Sequence, residues 1–505
     1  MSEELEIKEV VTEGEAKFEK WRNRIGFVLA PAIFVLIWLM PLDLKPEAHN
    51  LAAVIAMVIT LWICESLPMP VTALIGAALA IFLRVAPAKE VLAPFADPLI
   101  FLFIGSFMIA RAIFLHNLDK RFAYGVLSWK IIDARPSRIL FAFGAVTTFI
   151  SAWISNTATT AMMFAIGMSI IAFLFKQQKE LGIKINTSYA TALMLMTSFS
   201  ASIGGLATPI GTPPNVIGLG FIRQLLGYDI SFFRWMMIGV PVVVVLYLFL
   251  FAYLNYLAPA GVKRIDGSIE MIAREKASLG PWTRAQRSTM IAFLVAVTLW
   301  IFSGLVALFV GESSETYKAI NARVPEAVGA IVGAMLLFIL PGNKPGEKSI
   351  TWNEAVKIDW GVVLLYGGGF ALGVLSFQTG LAESVGRGMT GMLPVSGEFG
   401  LLVASVLIAV IISETTSNTA SANMVVPVVI AISQGQGFDP LIPALGATFG
   451  ASLGFMLPVS TPCNAIVYGS GHVPLMKMVR YGILLDIVGA VVIIGVLSAV
   501  SAFIR

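Results

Sequence analysis

Apolar runs close to the ~20 residues that an α-helix needs to cross a bilayer recur along the whole chain, the first at 25–42 and the last at 481–504. Lipid offers no hydrogen bonds to exposed peptide groups, and the runs are too long and too uniformly apolar for barrel strands, so they are read as helices. Of the 505 residues, 57% are hydrophobic and 13% charged, far below the ~25% charged residues of soluble domains. The chain is therefore expected to be an all-α polytopic membrane protein. A charged segment, 1–24, precedes the first run and no small-residue cleavage site follows it, so that run is read as a retained span and not as a signal peptide. Cys64 and Cys463 both lie inside apolar runs, and His49, His116 and His472 are scattered, which leaves neither a disulfide framework nor metal-ligand spacing. The net charge is +4, with the basic residues between spans: a positive-inside pattern, not a nucleic-acid footprint.

Plain spans are expected at 25–42, 51–67, 71–86, 99–115, 236–257, 290–310, 324–340, 361–377 and 481–504. Two further apolar stretches, 139–175 and 400–432, are each long enough to cross twice but carry a polar Ser-Asn-Thr at the middle, and two more, 189–222 and 443–469, are interrupted by Thr-Pro. The first pair reads as re-entrant hairpins and the second as discontinuous helices, because broken backbone at membrane depth persists only where it lines a buried or watered cavity. Lys17, Lys20, Arg22 and Arg24 place the N-terminus in the cytoplasm. If each hairpin returns to its own side, Lys120, Arg121, Lys130, Arg135, Arg138, Lys176, Lys179, Lys184 and the basic residues of 258–289 all fall inside, and the C-terminus falls outside. The organisation expected is a cytoplasmic segment 1–24, a first helix and loop 25–50, a first repeat 51–257 with a cytoplasm-facing hairpin, a cytoplasmic connection 258–289, and a second repeat 290–505 with an outward-facing hairpin.

The repeat is visible by aligning the chain on itself with a shift of about 263, which brings Phe101–Phe107 onto Leu364–Phe370. In the same order Ser155-Asn156-Thr157 meets Ser417-Asn418-Thr419, Ala201-Ser202-Ile203-Gly204 meets Ala451-Ser452-Leu453-Gly454, and Gly211-Thr212-Pro213-Pro214-Asn215 meets Ser460-Thr461-Pro462-Cys463-Asn464. Four landmarks in one order argue for duplication. Because the hairpins open to opposite sides, the halves have inverted topology, the plan of a secondary transporter with substrate at the midplane. A lone Ser-Asn-Thr is most simply a helix bonding back to itself. Two at matching places in inverted halves mark one shared cavity, since Asn is costly in a bilayer unless satisfied.

Asn amides, Ser and Thr hydroxyls and freed N–H groups at half-helix starts are donors suited to a carboxylate, while freed carbonyls and hydroxyl oxygens suit a hard cation. No Arg or Lys lies in either hairpin tip or Thr-Pro break. A dianion there would lack fixed counter-charge, and bound sodium ions would supply it. Other features weigh less. The stretch Gly342–Ser349 has the wrong spacing for a phosphate loop, Gly367-Gly368-Gly369 reads as close helix packing, and Asn186-Thr187-Ser188 falls on the cytoplasmic side, where it is no glycosylation site. Glu414 and Asp486, acids near or within apolar runs, are read either as proton sites or as having a paired structural or interfacial role.

At these motifs, above all the duplicated Ser-Asn-Thr, Gly211-Thr212-Pro213-Pro214-Asn215 and Phe455–Pro462 before Asn464, the chain from about Leu51 onward resembles the divalent anion/sodium symporter family of dicarboxylate and citrate carriers. The resemblance implies a homodimer in the cell (inner or plasma) membrane, with eleven helices and two re-entrant hairpins per protomer and an elevator mechanism. It implies that Ser155, Asn156, Thr157, Thr212, Ser417, Asn418, Thr419, Thr461 and Pro462 hold the substrate. It further implies one sodium ion at Ser151, Ser155, Asn156 and the carbonyl of Gly211, and a second at Ser413, Ser417, Asn418 and the carbonyl of Ser460. Cys463 stands where many members have a second Pro, which bears on local stiffness. The function expected is sodium-coupled symport of a C4-type dicarboxylate (succinate, malate or fumarate). A sodium-independent dicarboxylate exchanger and a carrier for citrate or another divalent anion stay open. An anion channel or membrane enzyme fits less well, for want of a ring of like charge or a nucleophile–base pair.

Overall fold

The computed structural model describes residues 13–181, 186–311, 314–389 and 397–504, and all its regular elements are helices. Lys184 lies outside the described residues. Among them, nine helices are long and apolar enough to cross a membrane. The predicted plain spans appear as Glu13–Leu39, Pro46–Cys64, Met69–Phe82, Pro98–Leu115, Phe232–Leu257, Arg284–Val310, Glu326–Ile339, Trp360–Gln378 and Leu475–Ile504. Two of these, Met69–Phe82 and Glu326–Ile339, have only 14 residues each and fall short on length. Their places among the nine are taken by Asn156–Gln177 and Gly397–Thr415, which are arms of the two Ser-Asn-Thr regions. Length and hydropathy thus pick out these arms along with the plain spans, and the hydrogen bonds show how each arm is placed against its neighbours.

In the first Ser-Asn-Thr region a leading arm, Pro136–Ser151, is followed by a return arm, Asn156–Leu181. Just before the leading arm Ala134 O accepts from Ile265 N at 2.8 Å, and near the end of the return arm Gln177 Nε2 donates to Asp266 O at 2.6 Å. Both outer ends thus sit against one short segment, and the chain between them turns back. Helix Ser188–Gly205 runs alongside the leading arm in the same direction, tied at its start by Tyr189 Oη donating to Pro136 O (2.8 Å) and pressed at its end by Gly204 against the Thr148 carbonyl.

The second region repeats this plan with Gly397–Thr415 leading and Asn418–Gly435 returning. Helix Leu441–Gly450 lies along the leading arm, with Gly446 on Leu402 and Gly450 on the Val406 carbonyl. Each accompanying helix then breaks and restarts, as Pro213–Leu226 in the first half and Pro462–Tyr468 in the second. The Thr-Pro pairs explain the restart. Proline fixes φ for a first helical turn and forces the residue before it to be extended. Thr212 (φ −146°, ψ 146°) and Thr461 (φ −145°, ψ 147°) adopt nearly identical extended conformations.

One asparagine braces each break. Asn215 Nδ2 donates to Gly205 O and Thr208 O, both at 2.8 Å, and Asn464 Nδ2 donates to Gly454 O at 3.0 Å and Leu457 O at 2.9 Å. These carbonyls have lost their helical partners, and leaving such a buried acceptor unpaired costs about 1–3 kcal/mol. Asn464 also accepts from Ser198 Oγ at 2.6 Å, which joins the two halves at their centre.

Small residues let the outer helices approach. A Cβ on Gly105 would stand 2.6 Å from the Ala330 carbonyl, and one on Gly368 would stand 2.5 Å from Ala73 Cβ. Gly367 packs on Phe95 and Gly369 on the Asn423 amide of the second return arm, so the triple glycine is a packing surface. The basic loops gather at one end of the molecule, where Arg121 bonds to the carbonyls of Leu279 and Gly280, and Lys276 donates to Ser128 Oγ.

Candidate functional site

Both hairpin tips and both helix breaks meet at one cavity of about 610 Å³. All nine residues expected to hold substrate line it: Ser155, Asn156, Thr157 and Thr212 from the first half, and Ser417, Asn418, Thr419, Thr461 and Pro462 from the second. Two return arms and two restarted helices begin at this cavity, so freed N–H groups and the positive ends of helix dipoles converge on it.

Around Asn156, one terminal atom of the amide stands 2.8 Å from Ser151 Oγ, 3.0 Å from Ala201 O and 3.2 Å from Gly211 O. The other terminal atom lies 3.5 Å from Thr212 Oγ1. With its nitrogen turned inward, the amide satisfies these three oxygens by donating to them. With its oxygen turned inward, four oxygens converge, an arrangement that a hard cation would satisfy. The residues therefore fit a sodium-sized ion, and the amide orientation is the adjustable part. Ser155 is placed differently from its neighbours: its hydroxyl accepts from Ala158 N at 3.4 Å, across the start of the return arm.

The second half builds a related shell from the corresponding Ser and Asn, with the carbonyls met differently. Ser413 Oγ lies 2.8 Å from both Asn418 Oδ1 and Ala451 O, with one hydrogen to share between them, and Asn418 Nδ2 donates to Ser452 O at 3.3 Å. Ser417 Oγ, like Ser155, caps its return arm by accepting from Ala420 N at 3.2 Å. The Ser460 hydroxyl turns away from the cavity and donates to Glu414 Oε2 at 2.7 Å, and Glu414 Oε1 accepts from Met456 N at 2.8 Å. Glu414 and Asp486, both buried, approach one another, and neither Asp486 oxygen has a hydrogen bond of ordinary geometry. Gly482, one turn before Asp486, lets the last helix lie on the Phe455 carbonyl. The two acids thus form a pair directly behind the second shell.

Sequence reasoning did not foresee several of these groups. The carbonyls of Ala201 and Ala451 carry no side-chain signal, although both fall inside the repeat. Arg111 and Lys357, distant in sequence, line the cavity beside Asp359. Both donate to Glu354, at 2.7 and 2.8 Å, and these two cations hold its carboxyl below the usual carboxylate range. The Cys463 thiol lies among the hydroxyls of Thr157, Thr160, Ser202 and Thr461, so the departure from Pro leaves the restarted helix intact and lines the cavity with sulfur.

The two shells differ in tolerance. A Cβ on Gly205 would meet the Asn156 amide at 2.4 Å, whereas one on Gly454 would stand 3.0 Å from Asn418 Oδ1. Gly205→Ala is expected to cut initial uptake by about tenfold, equivalent to ~1.4 kcal/mol, and Gly454→Ala by clearly less. Equal effects in a rate measurement on both variants would show that the Asn156 shell is no tighter than its counterpart.

Broken helices and paired polar tips around one central cavity define a membrane carrier of the secondary-transport class. A family model for the sodium:sulfate symporter transmembrane region matches residues 21–502, and the chain belongs to that family. It is 33% identical over 480 residues to a sodium-dependent dicarboxylate transporter, SdcS, of Staphylococcus saprophyticus, covering 93% of this chain and 90% of that one. The SdcS protein of Staphylococcus aureus is 32% identical over 484 residues, covering 93% and 89%. Among solved structures, the YdaH transporter of Alcanivorax borkumensis is similar in fold, with a TM-score of 0.50 at 14% identity over 96% of this chain and 98% of that one.

Proposed function

We propose that the protein couples inward sodium movement to uptake of a C4-type dicarboxylate, with the two Ser-Asn-Thr tips holding the substrate carboxylates. The observation that supports this most is the duplicated shell. Ser151, Asn156 and the Ala201 and Gly211 carbonyls in one half correspond to Ser413, Asn418 and the Ala451 carbonyl in the other. Each asparagine stands between an oxygen shell suited to a cation and a cavity suited to an anion. Two cations would neutralise a dianion in a cavity whose tips carry no basic residue, so binding of either species favours the other. The names of the staphylococcal relatives agree with this chemistry.

In this reading the halves are an inverted repeat within the cell membrane. The hairpins, broken helices and last helix move as one body against the remaining helices, in a homodimer. Reconstitution in liposomes tests it: labelled succinate should accumulate when a sodium gradient points inward. Uptake that ignores sodium but rises with internal succinate would identify an exchanger, and competition by citrate or sulfate would redraw the substrate class.

Eleven crossings put the N-terminus in the cytoplasm and the C-terminus outside, with the basic loops on the inner face. Cysteines introduced at the two termini should react with an impermeant maleimide from opposite faces. Labelling of both from one face would refute the hairpin topology.

A further inference from the structure

A second cavity, of about 630 Å³, reaches the same wall of Ser417, Ser460, Thr461 and Pro462 from another direction. Its far walls carry Glu19, Asn23, Glu65 and Ser66, at the first helix and the turn between Pro46–Cys64 and Met69–Phe82. Among the described residues, no basic one lines it. Arg22, just behind, pairs with Glu65, while Glu19 lies close enough to Glu65 to act on it electrostatically. The central cavity differs in the charges on its wall. Its outer walls carry Arg111 and Lys357 with one acid, Asp359, whose Oδ1 is occupied in accepting from Val362 N at 3.2 Å. With the partners behind the walls included, the Glu19 cavity stays net negative, and Glu354 brings the Lys357 cavity to neutrality.

Donor supply differs in the same sense. Lys357, on the wall of the central cavity, spends one of its three N–H groups on Glu354. The Lys357 cavity thus offers unspent cationic donors, and the Glu19 cavity offers carboxylate and hydroxyl oxygens.

We propose that these are two charge-sorted passages between the binding centre and the basic end of the molecule, the acidic one taken by the cation of the second shell and the Lys357 one by the dicarboxylate. This rests on the sodium-coupled reading above. A cleft lined by one sign of charge concentrates ions of the other sign and turns away its own, so a dianion is refused by Glu19 and Glu65. The second shell includes Asn418, which directly follows Ser417 on the wall that the acidic passage touches. Separate passages also keep departing sodium and dicarboxylate from pairing again in a shared narrow mouth.

The test measures half-saturating concentrations from the cytoplasmic face, using inverted vesicles containing the full-length protein. With succinate saturating in the sodium titration and sodium saturating in the succinate titration, Glu19→Gln should raise the half-saturating sodium concentration about three- to tenfold and leave the KM for succinate unchanged. Lys357→Gln should do the reverse. Glu19→Asp and Lys357→Arg should restore wild-type values, and raising ionic strength with a choline salt should shrink both differences, because screening weakens them. If sodium still drives wild-type uptake but each variant shifts both constants together, or neither, the sorting is overturned alone. Wild-type uptake indifferent to sodium would overturn the sorting and the reading beneath it.

Discussion

Asn156→Ala and Asn418→Ala should each cut sodium-driven uptake by one to two decades in apparent affinity. Truncating Asn156 strips Ser151 Oγ and the Ala201 and Gly211 carbonyls of a shared partner, and truncating Asn418 does the same to Ser413 Oγ and Ser452 O. A buried polar group left unpaired costs about 1–3 kcal/mol, and ~1.4 kcal/mol corresponds to a factor of ten. Coupling should weaken as well. In the wild type, raising sodium should tighten succinate binding and raising succinate should tighten sodium binding by the same factor, since linkage is reciprocal. That factor should fall in either variant. Equilibrium binding of succinate with normal affinity and no sodium dependence in both variants would remove the two shells from the site.

The second large effect is expected from a lock. Gly369 on helix Trp360–Gln378 meets the Asn423 amide on the second return arm so closely that a Cβ on Gly369 would lie 2.0 Å from Asn423 Oδ1. Cysteines at these two positions would stand close to the roughly 3.5–4.5 Å between Cβ atoms that a disulfide spans. In a background with Cys64 and Cys463 replaced by Ala, oxidation of this pair should bring uptake to the level of empty liposomes, and reduction should restore it. Sodium-induced thermal stabilisation should survive in the oxidised protein, because the lock holds one conformation without touching the Asn156 shell. Full turnover while oxidised would mean that the hairpin need not move, contrary to alternating access.

The parts of this architecture legible in the sequence are those in which a polar or conformationally restricted residue interrupts an apolar run. Ser155-Asn156-Thr157 and Thr212-Pro213 stand out because lipid-embedded backbone tolerates them only around a cavity. Their repetition paired the halves without any structure. The contacts that finish the shells were not legible. The carbonyls of Ala201 and Ala451 belong to residues with no polar side chain, and only the register of the break brings the first to Asn156 and the second to Ser413. Lys357 reaches the cavity because the segment before Trp360–Gln378 folds back onto Arg111, a long-range contact that periodicity does not encode. Glu414 was visible as an acid beside Ser413, but its bond to Ser460 depends on how the second break is coiled. Ser155 and Ser417 were legible by position, while their hydroxyls are taken by the first turn of each return arm.

The shortness of Met69–Phe82 and Glu326–Ile339 has a consequence for the surrounding lipid. At 1.5 Å per residue, 14 residues reach about 21 Å, against a hydrocarbon core of about 30 Å. Neither helix is sealed inside the protein: Val71, Leu74 and Phe82 on one, and Val332, Met335 and Ile339 on the other, are exposed. Where these faces meet lipid and not a second protomer, acyl chains must compress or splay, at a cost of fractions of a kcal/mol per Å of mismatch. A lipid-facing stretch this short would carry its own dimple in the bilayer, where lipids with shorter tails fit at less elastic cost than long ones.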